Sequence, residues 1–153
     1  MSTASLVDRA NDFAASCVGW LASPLLLGVR LYVPWQFFKS GLLKLQAWDS
    51  TLYLFREEYH VPLLPPGAAA VAGTAGEIVF PVLLAAGLLT RYSAIGLSAV
   101  NVMAVVSYAH VLLGEGFEAA LGQHYLWGSL LLVLAVFGPG RWSMDEFLRR
   151  RGS

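Results

Sequence analysis

Long apolar runs interrupted by isolated polar residues set the pattern of this chain. Gly67 to Leu89 is a run of twenty-three residues with one charge, Glu77, near its middle, bounded by Pro65-Pro66 and Thr90-Arg91. At 1.5 Å of rise per residue such a helix covers roughly 34 Å, enough for a hydrocarbon core of about 30 Å. Pro24 to Leu45, Ser93 to Leu113 and residues 121–138 give three further spans by the same reasoning. Upstream, Leu6, Ala10, Phe13, Cys17 and Trp20 recur at the spacing of one helix face, while Asp8, Arg9, Asn11, Asp12 and Ser16 fill the rest. This predicts an amphipathic helix on the membrane surface, with a plain extension of the first span as the alternative. Ser23-Pro24 suits a cap and first turn for a new helix. Gln46 to Pro66 is too polar to span, although Thr51 to Tyr59 suits a short surface helix. Thr90 to Ser93 is expected to be a tight turn, and Gly138-Pro139-Gly140 to end the fourth span. The expected fold is all-α: an integral-membrane four-helix up-down bundle with an N-terminal amphipathic helix, in a single domain over residues 1–153.

Composition agrees with a membrane solvent. Of 153 residues, 57% are hydrophobic and 13% charged, where a soluble domain has about a quarter charged. Ten basic and ten acidic residues cancel, and no basic stripe with interleaved aromatics occurs, so nucleic acid is excluded as a partner. Cys17 is the sole cysteine; internal disulfides, a thiol redox pair and a haem-attachment motif are therefore excluded. Asp8, Arg9 and Asp12 interrupt the start, so the N-terminus reads as retained rather than as a cleaved leader. Arg9, Arg91, Arg141, Arg149, Arg150 and Arg151 fall on one side of the spans and Lys39, Lys44 and Arg56 on the other, which predicts both termini in the cytoplasm.

A carboxyl in mid-membrane costs several kcal/mol unless it is protonated, paired or turned toward protein or water. Counted from the cytoplasmic ends of the spans, Arg30, Asn101 and Glu77 lie at roughly 9, 12 and 14 Å, so an Arg30–Glu77 pair is expected. Two uses stay open: an ion pair that only fixes helix register, or groups that handle protons. At 100° per residue Arg30, Phe37, Gly41 and Lys44 share one face of the first span. A second polar layer nearer the outer side holds Gln36, Lys39, Lys44, Tyr108, His110 and His124. The three histidines come from separate elements without ligand spacing, so neither a metal site nor a haem is expected.

Several stretches resemble the DoxX family in joint order. They are Arg30 with Trp35-Gln36-Phe37-Phe38, Ser40-Gly41 and Lys44; Glu77 with Gly87-Leu88-Leu89-Thr90-Arg91; and Gly138-Pro139-Gly140-Arg141-Trp142-Ser143-Met144-Asp145. The resemblance covers about Gly28 to Asp145. It implies a small four-helix protein of a bacterial or archaeal cytoplasmic membrane, related to the membrane part of a thiosulfate:quinone oxidoreductase, with a role beside quinone-linked or thiol-linked redox enzymes. The expected function is that of a membrane subunit of a redox complex that offers a quinone-accessible site or proton-handling groups. Glu77, Arg30 and Lys44 are the candidate catalytic groups. Trp35, Gln36, Phe37, Gly41, Asn101, Tyr108 and His110 are the candidate quinone-binding ones, with Gly41 letting a flat ring approach the backbone. The partners expected are the lipid bilayer, a redox enzyme that supplies electrons and, as an alternative, further copies of this chain. The competing function is a non-enzymatic anchor or scaffold for a redox partner, with the Arg30–Glu77 pair purely structural.

Overall fold

The computed structural model describes residues 3–152, all of whose regular structure is helical. The side chains of Leu6 and Ala10, two positions of the expected amphipathic face, lie outside the described residues. Seven helices follow one another: α1 (Thr3–Gln46), α2 (Trp48–Glu57), α3 (Pro66–Ala86), α4 (Thr90–Ser107), α5 (Ala109–Leu112), α6 (Glu118–Phe137) and α7 (Met144–Arg151). Three are long and apolar enough to cross a membrane: the Val7–Gln46 part of α1, α3 and α6. α4 has eighteen residues but carries Arg91, Ser93, Ser98 and Asn101 among them, and it stands apart from those three.

The expected separate N-terminal helix is instead the first part of α1, which runs through Ser23, Pro24 and Pro34 without a break. Ser23 does not cap a new helix, because its hydroxyl accepts from the Arg141 backbone N–H at 3.4 Å. A proline forfeits one helical hydrogen bond, whereas ending a helix in an apolar medium would strand several backbone groups. Residues 11–21 are exposed throughout, and the buried face of α1 begins at Ser23 and Leu26.

Both ends of α3 follow their residues. Pro66 opens it at a position where its missing N–H is not needed. Gly87, at φ 68°, closes it in a left-handed conformation, with its N–H bonded to Leu84 O at 3.0 Å and that of Leu88 to Leu83 O at 2.9 Å. The turn is thus Gly87–Leu89, not Thr90–Ser93 as expected, and Thr90 already belongs to α4. Asp145 accounts for this shift: its carboxylate accepts from Leu89 N–H at 2.8 Å and Thr90 N–H at 2.9 Å, capping α4 from a distant part of the chain.

The expected span from Ser93 to Leu113 is also divided. The Ser107 carbonyl, which a continuous helix would give to Val111 N–H, accepts from His60 N–H at 2.9 Å, and Val111 N–H turns to Tyr108 O at 3.1 Å. The loop after α2 is thereby pinned to the end of α4. α7 was not expected, although Ser143-Met144-Asp145-Glu146 is a capping-box pattern: Ser143 Oγ accepts from Glu146 N–H at 3.1 Å.

α3 lies at the centre, packed on α1, α2 and α4, and α6 joins α4 to α1. Small residues permit the close approaches. A Cβ on Gly76 would lie 2.7 Å from Val100 Cγ2, and one on Gly96 would enter the Phe80 ring. Leu26, Val33, Phe37, Leu84, Leu97, Leu131 and Leu134 form the main apolar core, and Phe55, Ala69 and Ala70 form a second one where α2 covers α3.

Candidate functional site

Glu77 is paired with Lys44, not with Arg30. Lys44 Nζ donates to Oε1 at 2.7 Å and Oε2 at 2.6 Å, and also to Ser40 Oγ at 2.9 Å, so its three N–H bonds are all used. The reason lies in side-chain direction. Helical side chains lean toward the N-terminus of their own helix, and α1 and α3 run antiparallel with Gly41 abreast of Glu77 and Ile78. Lys44 therefore leans back toward Glu77, and Glu77 leans toward Lys44. Arg30 leans the other way, toward the end of α3.

Arg30 is 1% exposed and still satisfied. Its Nε donates to Leu84 O at 3.0 Å, Nη2 to Ala85 O at 3.1 Å, and Nη1 to Pro139 O at 2.7 Å and Trp142 O at 2.9 Å. The planar fork thus gathers carbonyls from the last turn of α3, where the helix dipole favours a cation, and from the loop after α6. Gly87 leaves it room, since a Cβ there would overlap the guanidinium. Arg30 closes the end of the bundle and does not line the cavity beside Glu77.

The Lys44–Glu77 pair opens onto a partly open cavity of about 570 Å³ lined by α1, α2, α3, α4, α6 and the loop after α2. Of the expected site residues, the structure brings Lys44, Glu77, Gln36, Phe37 and Tyr108 to its wall. The others lie elsewhere. Trp35 is exposed on the outer side of α1, beside Phe38 and beneath the Lys39 ammonium, because it is two residues from Phe37 and so turned roughly 200° away. Gly41 is no slot for a ring: a Cβ there would lie 2.8 Å from Ile78 Cδ1 and 3.0 Å from Glu77 Cβ, so its space is already filled by α3. Asn101 holds His124. His110 is exposed, its ring 4.7 Å from that of His60 and 5.4 Å from that of Tyr108. Two histidines thus meet at the surface, and among the described residues no three His, Cys, Asp or Glu side chains gather as a metal site.

His124, expected in the outer polar layer, also reaches the cavity, as do Tyr59 and Trp127, which the spacing of residues does not single out. Tyr59 arrives through the loop that His60 pins to Ser107, a tertiary bond without a local sequence signal. It stacks edge-on against Phe55 and Tyr108, with centroids at 5.0 and 5.3 Å. Burial pushes its hydroxyl up from the usual tyrosine value, and neighbouring Tyr108, Glu77 and Glu58 push it in the same direction. On the α6 side, His124 and Trp127 stand one turn apart with ring centroids at 5.1 Å, and Phe37 meets Trp127 edge-on at 5.4 Å. A charged pole on α1 and α3 thus faces an imidazole on α6 across apolar walls.

The DoxX family profile matches residues 25–110, more than half of the chain and inclusive of Arg30, Lys44, Glu77, Asn101 and Tyr108. A protein of Haemophilus influenzae, described as uncharacterized, is 28% identical over 132 residues, which cover 82% of this chain and 83% of that protein. No solved structure matches significantly. The apolar helices make this a multi-pass membrane protein in contact with lipid, and the stretch the profile recognises holds both members of the buried ion pair and Arg30: the chain belongs to the DoxX family.

Proposed function

We propose that this protein is a four-helix, up-and-down subunit of a bacterial or archaeal cytoplasmic membrane, with both termini cytoplasmic, whose cavity receives the ring of a quinone on behalf of a partner oxidoreductase. The observation that carries this reading is a partly open cavity of about 570 Å³ with an ion pair in an otherwise largely apolar and aromatic lining. That size lies within the range of small-molecule sites, which are mostly apolar with a few placed polar groups. A flat ring fits between the apolar walls, and an oxygen on its edge takes over the Lys44 N–H that bonds Ser40 Oγ, while Glu77 takes or gives a proton. Electrons come from the partner, and the acidic residues Glu57 and Glu58 around the end of α2 and Glu115 and Glu118 around the start of α6 offer a basic partner an electrostatic match.

The test is to purify the chain in detergent and measure binding of a decyl-tailed benzoquinone by quenching of tryptophan fluorescence, with Trp127 at the cavity wall as the reporter. Lys44→Ala and Glu77→Gln variants that keep the wild-type helical content should lose about tenfold in affinity, the scale of one hydrogen bond to a charged group. Wild type that does not bind the ring, or variants that bind it unchanged, would leave the chain as a membrane anchor whose ion pair only holds α1 to α3.

A further inference from the structure

Resting on the reading of the cavity as a ring site, we infer that its α6 wall is built for a hydroxyl rather than a carbonyl, so that the site prefers the reduced, hydroquinone form of its ligand. Asn101 sets the chemistry of that wall. Its amide nitrogen donates to the His124 backbone carbonyl at 2.9 Å, which leaves the amide oxygen facing His124 Nδ1 at 2.8 Å. Only an Nδ1–H can complete that contact, so the neutral imidazole keeps its lone pair on Nε2. No described residue bonds to Nε2, and His124 lines the cavity.

One helical turn on, Trp127 lines the same cavity, and its indole N–H is buried without a partner. That N–H is shielded from the cavity, so the group the α6 wall presents is the Nε2 acceptor. A carbonyl oxygen meets the Nε2 lone pair with a lone pair of its own. A hydroxyl donates to it. At the opposite pole Lys44 and Glu77 supply a donor and an acceptor together, so that end takes either form. His124 is thus the discriminating contact, and Asn101 is a positioning residue that acts through its tautomer.

A quinone and its hydroquinone have nearly the same shape and differ in the hydrogens on their oxygens, so their relative affinity reads this wall directly. The experiment titrates the purified full-length chain, under argon, with decyl-tailed benzoquinone and with its hydroquinone. We expect the hydroquinone to bind about tenfold more tightly, the effect of one satisfied buried hydrogen bond. His124→Phe should abolish the preference, so that hydroquinone and quinone bind with equal affinity. Nitrogen-15 shifts of the His124 imidazole should report Nδ1–H in wild type and in Asn101→Gln, but a mixture of tautomers with a reduced preference in Asn101→Leu. Equal binding of both forms by wild type, or tighter quinone, would overturn the inference while the ring site stands. If neither form binds, the ring site fails as well. The wild-type comparison decides even if a variant does not fold.

Discussion

Lys44 Nζ sits 2.7 and 2.6 Å from the two oxygens of Glu77, with only 18% and 10% of the two side chains exposed. Removing either partner strands the other in a poorly solvated place, which costs about 3–5 kcal/mol where a pair is buried. Lys44→Met and Glu77→Gln should each lower stability by about 3 kcal/mol, and the double variant by much less than their sum. Arg30→Gln combined with Glu77→Gln should instead be nearly additive, since Arg30 bonds carbonyls and not Glu77. Thermal unfolding in detergent measures both cycles. Coupling in the Arg30 cycle and none in the Lys44 cycle would contradict the pairing.

Arg30 is the only described side chain that ties the end of α3 to both Pro139 and Trp142. Lysine cannot reproduce the planar fork, so Arg30→Lys, with three N–H donors for four carbonyls, should lose at least one of these bonds. Its expected cost is about 2–4 kcal/mol. The loss should be local before it is global, with protease cutting after Gly138 at temperatures where the helices persist. Mass spectrometry of the first fragments checks this, and equal protection of the segment in wild type and variant would count against the arginine as its fastening.

Much of the fold was legible in the sequence because lipid leaves few options. Apolar runs near Gly67–Leu89 and in residues 121–138 became α3 and α6 with ends shifted by a few residues, and Pro66 and Gly87 explain the two ends of α3. The need to neutralise Glu77 was legible too. Its partner is not legible from depth along the helix axes alone, because side chains lean, and in an antiparallel pair that lean separates Arg30 from Glu77 and joins Glu77 to Lys44. The break at Tyr108, the cap from Asp145 and the entry of Tyr59 into the cavity all depend on bonds between residues at least 47 apart, for which local periodicity carries no signal.

Gly41 illustrates the same limit. Its position on the Arg30 and Lys44 face suggested space for a ligand, but that space belongs to Ile78 and Glu77. Gly41→Ala should therefore disturb helix packing, at about 1–3 kcal/mol for an overpacked contact, and shift the Lys44–Glu77 geometry with it. Gly28→Ala meets nothing within 4 Å and should be neutral or slightly stabilising, as the better helix former. Comparing the two melting temperatures isolates the contact from the change in helix propensity. A Gly41→Ala protein as stable as Gly28→Ala would mean that α1 and α3 are not in contact there.

Tyr59 gives the site a pH signature at the alkaline end. Burial, with Tyr108, Glu77 and Glu58 nearby, raises its hydroxyl above the ordinary value near 10. The folded state then holds this proton more tightly than the unfolded chain does. Stability from Tyr59 is fully present below about pH 10, and is lost as pH rises from the unfolded value through the raised folded one, because in that window the unfolded state binds fewer protons. Phenylalanine has no proton to lose and keeps the edge-on contacts with Phe55 and Tyr108. Tyr59→Phe should therefore melt much as wild type does near pH 8 and fall less steeply as pH rises above about 10. Phenolate absorbance during an alkaline titration should lose its highest-titrating component in the same variant. Parallel pH profiles for the two proteins would show that Tyr59 is as free to ionise as a tyrosine in water, and that it does not sit buried against the cavity.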